Sequence, residues 1–265
     1  MTDSDPSPGY QPSGGPVRTT RRRGRMTDAK RQALADLSPR WALGSRLSGP
    51  ELDAAFGRSA PRLLDVGVGT GEATREWAAR HPDHDVIAVE VHQPSLARLL
   101  QDLELHGPDN VRVLDADVTA VLADHAREID TGRPSGPAAF SAVRVLFPDP
   151  WPKRRHLHRR LVDRSFVSVV ADLLPLGGWI HLATDWDDYA LQMRLALLRE
   201  SRLVIDLDGE HAGLGPEDLV HPDEIDPDDP PRWASARPPR PVTTYEARGL
   251  EAGRHITDLV AHRHR

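Results

Sequence analysis

Residues 62–80 read RLLDVGVGTGEATREWAAR, and this stretch decides the fold. A short apolar run, Arg62 to Val66, enters a turn with glycine at Gly67, Gly69 and Gly71. A helical pattern follows and stops at His81-Pro82. Strand, glycine turn, helix is the opening unit of a nucleotide-binding α/β fold. Glycine is needed in such a turn because the chain bends sharply and a ligand must come close to the backbone. The spacing is G-x-G-x-G, which departs from the G-x-G-x-x-G of nicotinamide and flavin binders.

Working outward, the same alternation continues. DVIAVEV (85–91) predicts a second strand, and PSLARLLQDLELHG (94–107) a helix with Leu96, Leu99, Leu100 and Leu103 on one face. NVRVLDAD (110–117) and FSAVRVLFPDP (140–150) read as strands three and four, with a helix over VTAVLADHARE between them. LVDRSFVSVVADLL (161–174), GGWIHLATDW (177–186) and DYALQMRLALLRE (188–200) add helix, strand and helix. Strands alternating with helices predict a doubly wound, mostly parallel sheet with helices on both faces.

The chain has 265 residues, which suits one α/β domain with appendages. Residues 1–16 are rich in Ser, Pro and Gly and predict a disordered tail. Residues 17–45 read as a basic arm and a short helix, and 46–265 as the main domain. The 24 prolines also point to unpacked segments, while the absence of cysteine excludes disulfides, thiolate metal sites and cysteine catalysis. No apolar run reaches the ~20 residues that cross a bilayer, and the polar start does not resemble a signal peptide. The expected setting is the cytoplasm, with no membrane and no obligate protein partner evident. The net charge of -6 is segregated. Residues 206–230 hold ten acidic side chains and no Lys or Arg, so the other 240 residues carry +4. Positive charge concentrates in VRTTRRRGR (17–25) and KRRHLHRR (153–160), a pattern suited to phosphate contacts or, more blandly, to a solvated face.

Carboxylates recur at the strand ends: Asp65 before the glycine turn, Glu90 after strand two, Asp117 after strand three. A carboxylate at Glu90 can accept from both hydroxyls of a ribose. Asp65 beside the turn disfavours a pyrophosphate and favours a cationic or zwitterionic ligand. S-adenosylmethionine has a ribose, an amino-acid tail and a sulfonium, and Asp117 is expected to reach its adenine.

At the end of strand four stands Phe147-Pro148-Asp149-Pro150-Trp151-Pro152-Lys153, continuing into RRHLHRR. With ATDW (183–186), RPVTTYEARG (240–249) and the early RGRMT, this order resembles the bacterial tRNA (guanine-N7)-methyltransferase family. The resemblance implies a Rossmann-like class I methyltransferase fold that takes S-adenosylmethionine as cofactor and tRNA as substrate, modifying guanine 46 of the variable loop. It implies cofactor contacts at Asp65, Glu90, Asp117 and Asp149, with Gly67, Gly69 and Gly71 forming the turn. It implies tRNA contacts at Lys153, Asp185 and Thr243, Thr244, Tyr245 and Glu246, with Arg154, Arg155 and His156 continuing the basic run. Three features depart from the family pattern. Asp65 stands where Glu is common, His158 replaces a frequent Lys, and the acidic segment is long.

Guanine N7 is an in-plane lone pair with no proton to remove, so transfer needs no general base. Positioning and electrostatics carry the reaction, and Asp149 is expected between cofactor and base as the catalytic residue. N7 must stay open to attack, so guanine is expected to be read through its N1–H and N2 amino donors, by Asp185 and Glu246. The bland readings are that Asp149 shapes a Pro-Asp-Pro turn, that Asp185 caps a helix and that Trp151 is core. His156 and His158 lack nearby partners for a metal, and no metal is expected. Lys153 is one of only two lysines against 32 arginines, which sets it apart from a generic basic face. Two rival functions are a methyltransferase for small molecules or proteins, insensitive to salt, and an RNA-binding module with a decayed cofactor site. All four strand-end carboxylates are present, which counts against the second.

Overall fold

The computed structural model describes residues 26–44, 47–123, 140–206 and 237–265. The tail, the arginines of the arm and all but the first residue of the acidic segment lie outside the described residues. The chain runs α1 (Asp28–Trp41), α2 (Gly49–Phe56), β1 (Arg62–Val66), α3 (Glu72–Arg80), β2 (Asp85–Val89), α4 (Gln93–His106) and β3 (Val111–Leu114). The helix expected over 118–128 is α5, described over 118–123. Then come β4 (Ala142–Leu146), a 3₁₀ helix (Arg154–Arg159), α6 (Arg164–Leu173), β5 (Trp179–Thr184) and α7 (Asp187–Leu198). The chain closes with β6 (Leu203–Asp206), α8 (Thr244–Glu251) and β7 (Thr257–Arg263).

The seven strands lie in the order β3-β2-β1-β4-β5-β7-β6. β1 to β5 are parallel, and β7 enters antiparallel between β5 and β6. Both faces are covered, so adjacent residues on one strand feed different cores. Leu64 joins Ile87, Val143 and Leu182 on one side, and Leu63 joins Ala88, Leu99 and Leu103 on the other. Every residue of β1 and β2 is buried, including the charged Arg62, Asp65 and Asp85 that interrupt their otherwise apolar runs.

The strands are shorter than the sequence patterns predict. β1 gives way to the glycine turn at Gly67, β3 ends at Leu114, and β4 ends before Phe147, whose φ of 53° turns the chain out of the sheet. Glu90, Asp117, Asp149 and Asp185 therefore sit in loops beyond the strands. The elements α2, β6, α8 and β7 had no counterpart in the sequence reading.

Candidate active site

After β3 the chain returns to the other side of β1 to form β4, so the loops after β1 and β4 diverge and open a crevice at the carboxyl ends of the strands. A cavity of about 270 Å³ lies there, its walls including Gly67, Glu90, Val118, Asp149, Trp151 and Tyr245. Gly67 adopts φ 70°, and a Cβ on it would meet no protein atom within 4 Å. A ligand thus has room to lie against bare backbone. Gly69, at φ 58°, would bring a Cβ to 3.3 Å from the Tyr245 ring.

Glu90 holds this turn in place. Its carboxylate accepts from the Gly69 N–H at 2.7 Å, the Val91 N–H at 2.8 Å and the His92 N–H at 2.7 Å. A carboxylate has about four acceptor positions, so one is left for a hydroxyl in the cavity. Asp117 is three residues past β3 and caps α5, accepting from the Thr119 N–H at 2.9 Å and its hydroxyl at 2.7 Å. Its neighbours Ala116 and Val118 line the cavity.

Asp65, expected to meet a cationic ligand, lines a smaller cavity beside Gly67 and is paired with a cation of the chain itself. Its register partner on β4 is Arg144, which donates to it at 3.0 and 2.6 Å. The Thr74 hydroxyl adds a third bond at 2.7 Å. Both charged side chains are buried, at 2% and 4% exposure, so each neutralises the other. A signal existed: Arg144 interrupts the apolar run AVRVL, and a buried guanidinium requires a carboxylate nearby.

The turn Phe147–Trp151 carries unusual backbone. Phe147 and Trp151 have φ of 53° and 45°, the only positive values outside glycine among the described residues. Such strain persists only where the surroundings over-determine it. Arg160 supplies part of that hold: buried, it donates to the Pro150 carbonyl at 2.7 Å, to Gln192 at 3.0 Å and to Asp188 at 2.6 Å. Arg159 lies over the Trp151 ring at 4.4 Å and lines the cavity. Neither arginine stands out in the sequence, because a basic run does not reveal which member points inward. Asp149, Lys153, Arg154 and Arg155 are exposed. His156 meets the Trp151 ring edge-on at 5.8 Å. Desolvation and then the cations Arg155, Arg159 and Lys153 hold its pKa below the usual histidine range.

The downstream motif TTYE is the start of α8. Thr243 is its N-cap, accepting from the Glu246 N–H at 3.2 Å, and Tyr245 leans on Gly69. Glu246, expected with Asp185 to read guanine, faces cations of the chain itself. It is buried at 2% and pairs with Arg240 and Arg237. Asp185 accepts from Arg254 at 2.8 Å and packs against Gly249, where a Cβ would come within 2.9 Å of its oxygen. Neither carboxylate lines the cavity. Thr-x-x-Glu is the signature of a helix N-terminus, and that signal explains the motif's local geometry.

Glycine turn, carboxylate-held loop and switch-point cavity define a class I, S-adenosylmethionine-dependent methyltransferase, and the residues present fit that cofactor. A family model described as "Putative methyltransferase" matches residues 59–213. Proteins described as tRNA (guanine-N(7)-)-methyltransferase are similar over almost the whole chain. That of Alkalilimnicola ehrlichii is 40% identical over 92% of this chain and 91% of its own. Those of Nitrosomonas eutropha and Halorhodospira halophila are 37% and 38% identical, covering 90% and 91% of this chain and 92% and 91% of theirs. The chain belongs to the tRNA (guanine-N7)-methyltransferase family. No helix among the described residues is long and apolar enough to cross a membrane.

Glu90→Ala removes the acceptor that holds three backbone amides and faces the cavity. It is expected to weaken S-adenosylhomocysteine binding by about 1–3 kcal/mol, the cost of leaving such donors unmade. Calorimetric titration of the folded variant checks this, and unchanged affinity would remove Glu90 from the site.

Proposed function

We propose that the chain methylates N7 of guanine 46 in the tRNA variable loop by direct in-line displacement, with no general base. The observation that supports this most is spatial. The strained Phe147–Trp151 turn and the Glu90-held glycine turn wall one cavity, and the first of them runs directly into the basic 3₁₀ helix. When bound, S-adenosylmethionine supplies an activated methyl group on a sulfonium. Glu90 and the glycine backbone hold the cofactor's ribose side, and Asp149 lies between cofactor and base. Lys153, Arg154, Arg155 and His156 take the tRNA backbone, together with Thr243, Thr244 and Tyr245 at the start of α8. The guanidinium-paired Asp185 and Glu246 act by shaping this wall. The test is mass-spectrometric nucleoside analysis of tRNA incubated with the protein and S-adenosylmethionine. The expected product is 7-methylguanosine, and its absence would overturn the reading.

The same reading assigns Arg21, Arg22, Arg23 and Arg25 to the RNA backbone. Deleting residues 1–25 removes these four cations together with Arg18 while leaving α1 intact. tRNA affinity should fall, and the slope of log K against log salt should flatten by about 3, the counterion release of four contacts. Cofactor affinity should not move. An unchanged salt slope would mean that the arm does not touch RNA.

A further inference from the structure

Glu72 is the first residue of α3, and neither the sequence motifs nor the cofactor chemistry assigns it a role. Its Oε1 accepts from two hydroxyls. One is Thr70 in the glycine turn, at 2.8 Å, and the other is Thr244 in the first turn of α8, at 3.1 Å. These residues are 172 apart in sequence at the wider bond. The carboxylate therefore ties the loop expected to hold the cofactor to the helix expected to meet tRNA. Tyr245, the next residue, sits on Gly69 and lines both the main cavity and a smaller one beside Gly67. Where the helix start sits relative to the turn thus sets a wall common to both cavities. The N-terminal end of the α3 dipole also suits a carboxylate at this position.

We propose that Glu72 is a positioning residue for methyl transfer, a clasp that fixes the Thr244–Tyr245 helix start against the glycine turn. This rests on the function proposed above. What the clasp requires is an acceptor oxygen, and full charge is dispensable. Glu72→Ala and Thr244→Val should each lower kcat/KM for tRNA about tenfold, the scale of one charge-assisted hydrogen bond. The double variant should fall no further than the singles, because both break the same link. Glu72→Gln keeps an acceptor and should remain within about twofold of the wild type. S-adenosylhomocysteine affinity, measured by calorimetry without tRNA, should fall in Glu72→Ala and be restored in Glu72→Gln, with thermal stability unchanged across the set. Independent, multiplying effects of the two substitutions would overturn the clasp, because Thr244 would then act only through its proposed tRNA contact. A Glu72→Gln variant as poor as Glu72→Ala would overturn it too. Wild-type protein that forms no 7-methylguanosine would instead fail the functional reading itself, which separates the two.

Discussion

Asp149→Asn is expected to lower kcat by on the order of 100- to 1,000-fold, the usual cost of removing one preorganised electrostatic group. During transfer to N7, positive charge moves from the sulfonium toward the purine ring. A carboxylate fixed beside that path stabilises the displaced charge, and the amide of Asn does not. The fixing is visible in the fold. Asp149 lies between two prolines, within a turn whose Phe147 and Trp151 have positive φ and whose Pro150 carbonyl is held by buried Arg160. Asp149 is exposed at the cavity wall, so the substitution leaves the core untouched. S-adenosylhomocysteine affinity should change far less than kcat, which single-turnover kinetics and calorimetry on the same protein can separate. Equal losses in both would make Asp149 a cofactor ligand only.

Arg240→Met carries the largest expected effect on stability. The Arg240 guanidinium is buried at 1% and pairs with Glu246 of α8 and with both oxygens of Asp258 on β7, at 3.1 Å each. It also lies 5.4 Å from the Phe147 ring, at the start of the Phe147–Trp151 turn. On the far side, His181 stands 2.7 Å from Asp258. Burial, and after it the charges of Arg240 and Arg144, hold the His181 pKa below its usual range despite that carboxylate. Burial raises the Asp258 carboxyl, but hydrogen bonds from His181 and the charge of Arg240 outweigh it and keep the group ionised. Removing the arginine leaves buried Glu246 with only Arg237 and buried Asp258 with only His181. The expected cost is about 3–5 kcal/mol, as for one partner lost from a buried ion pair. Equilibrium urea unfolding measures it. A loss below about 1 kcal/mol would mean that the network carries no net stability.

The alternating part of the fold was legible because it follows simple rules. The strands β1 to β5 are short apolar runs, and helices such as α4 carry one leucine face. The elements missed are those where the rules are broken. β7 reads TDLVAHR, and its buried Asp258 is admissible only because Arg240 and His181 meet it from elsewhere. β6 has four residues, with burial at only the first. α2 opens on Gly-Pro, a pair that marks turns, although Ser48 and Glu51 form a capping box. The candidate site was legible as a set of strand-end carboxylates, but their partners were not. Asp65 turns inward to Arg144 and Glu246 to Arg240 because long-range pairing, invisible along the chain, decides which carboxylates remain for a ligand.

The proposed nucleophile is N7 of guanine 46. It is tested most directly with two tRNA transcripts, one carrying guanosine at position 46 and the other 7-deazaguanosine, which replaces N7 with carbon. Methyl transfer from labelled S-adenosylmethionine should be complete on the first and absent on the second, with both tRNAs binding equally well. Undiminished transfer to the 7-deaza transcript would contradict the account, because the methyl group would then be going to another atom.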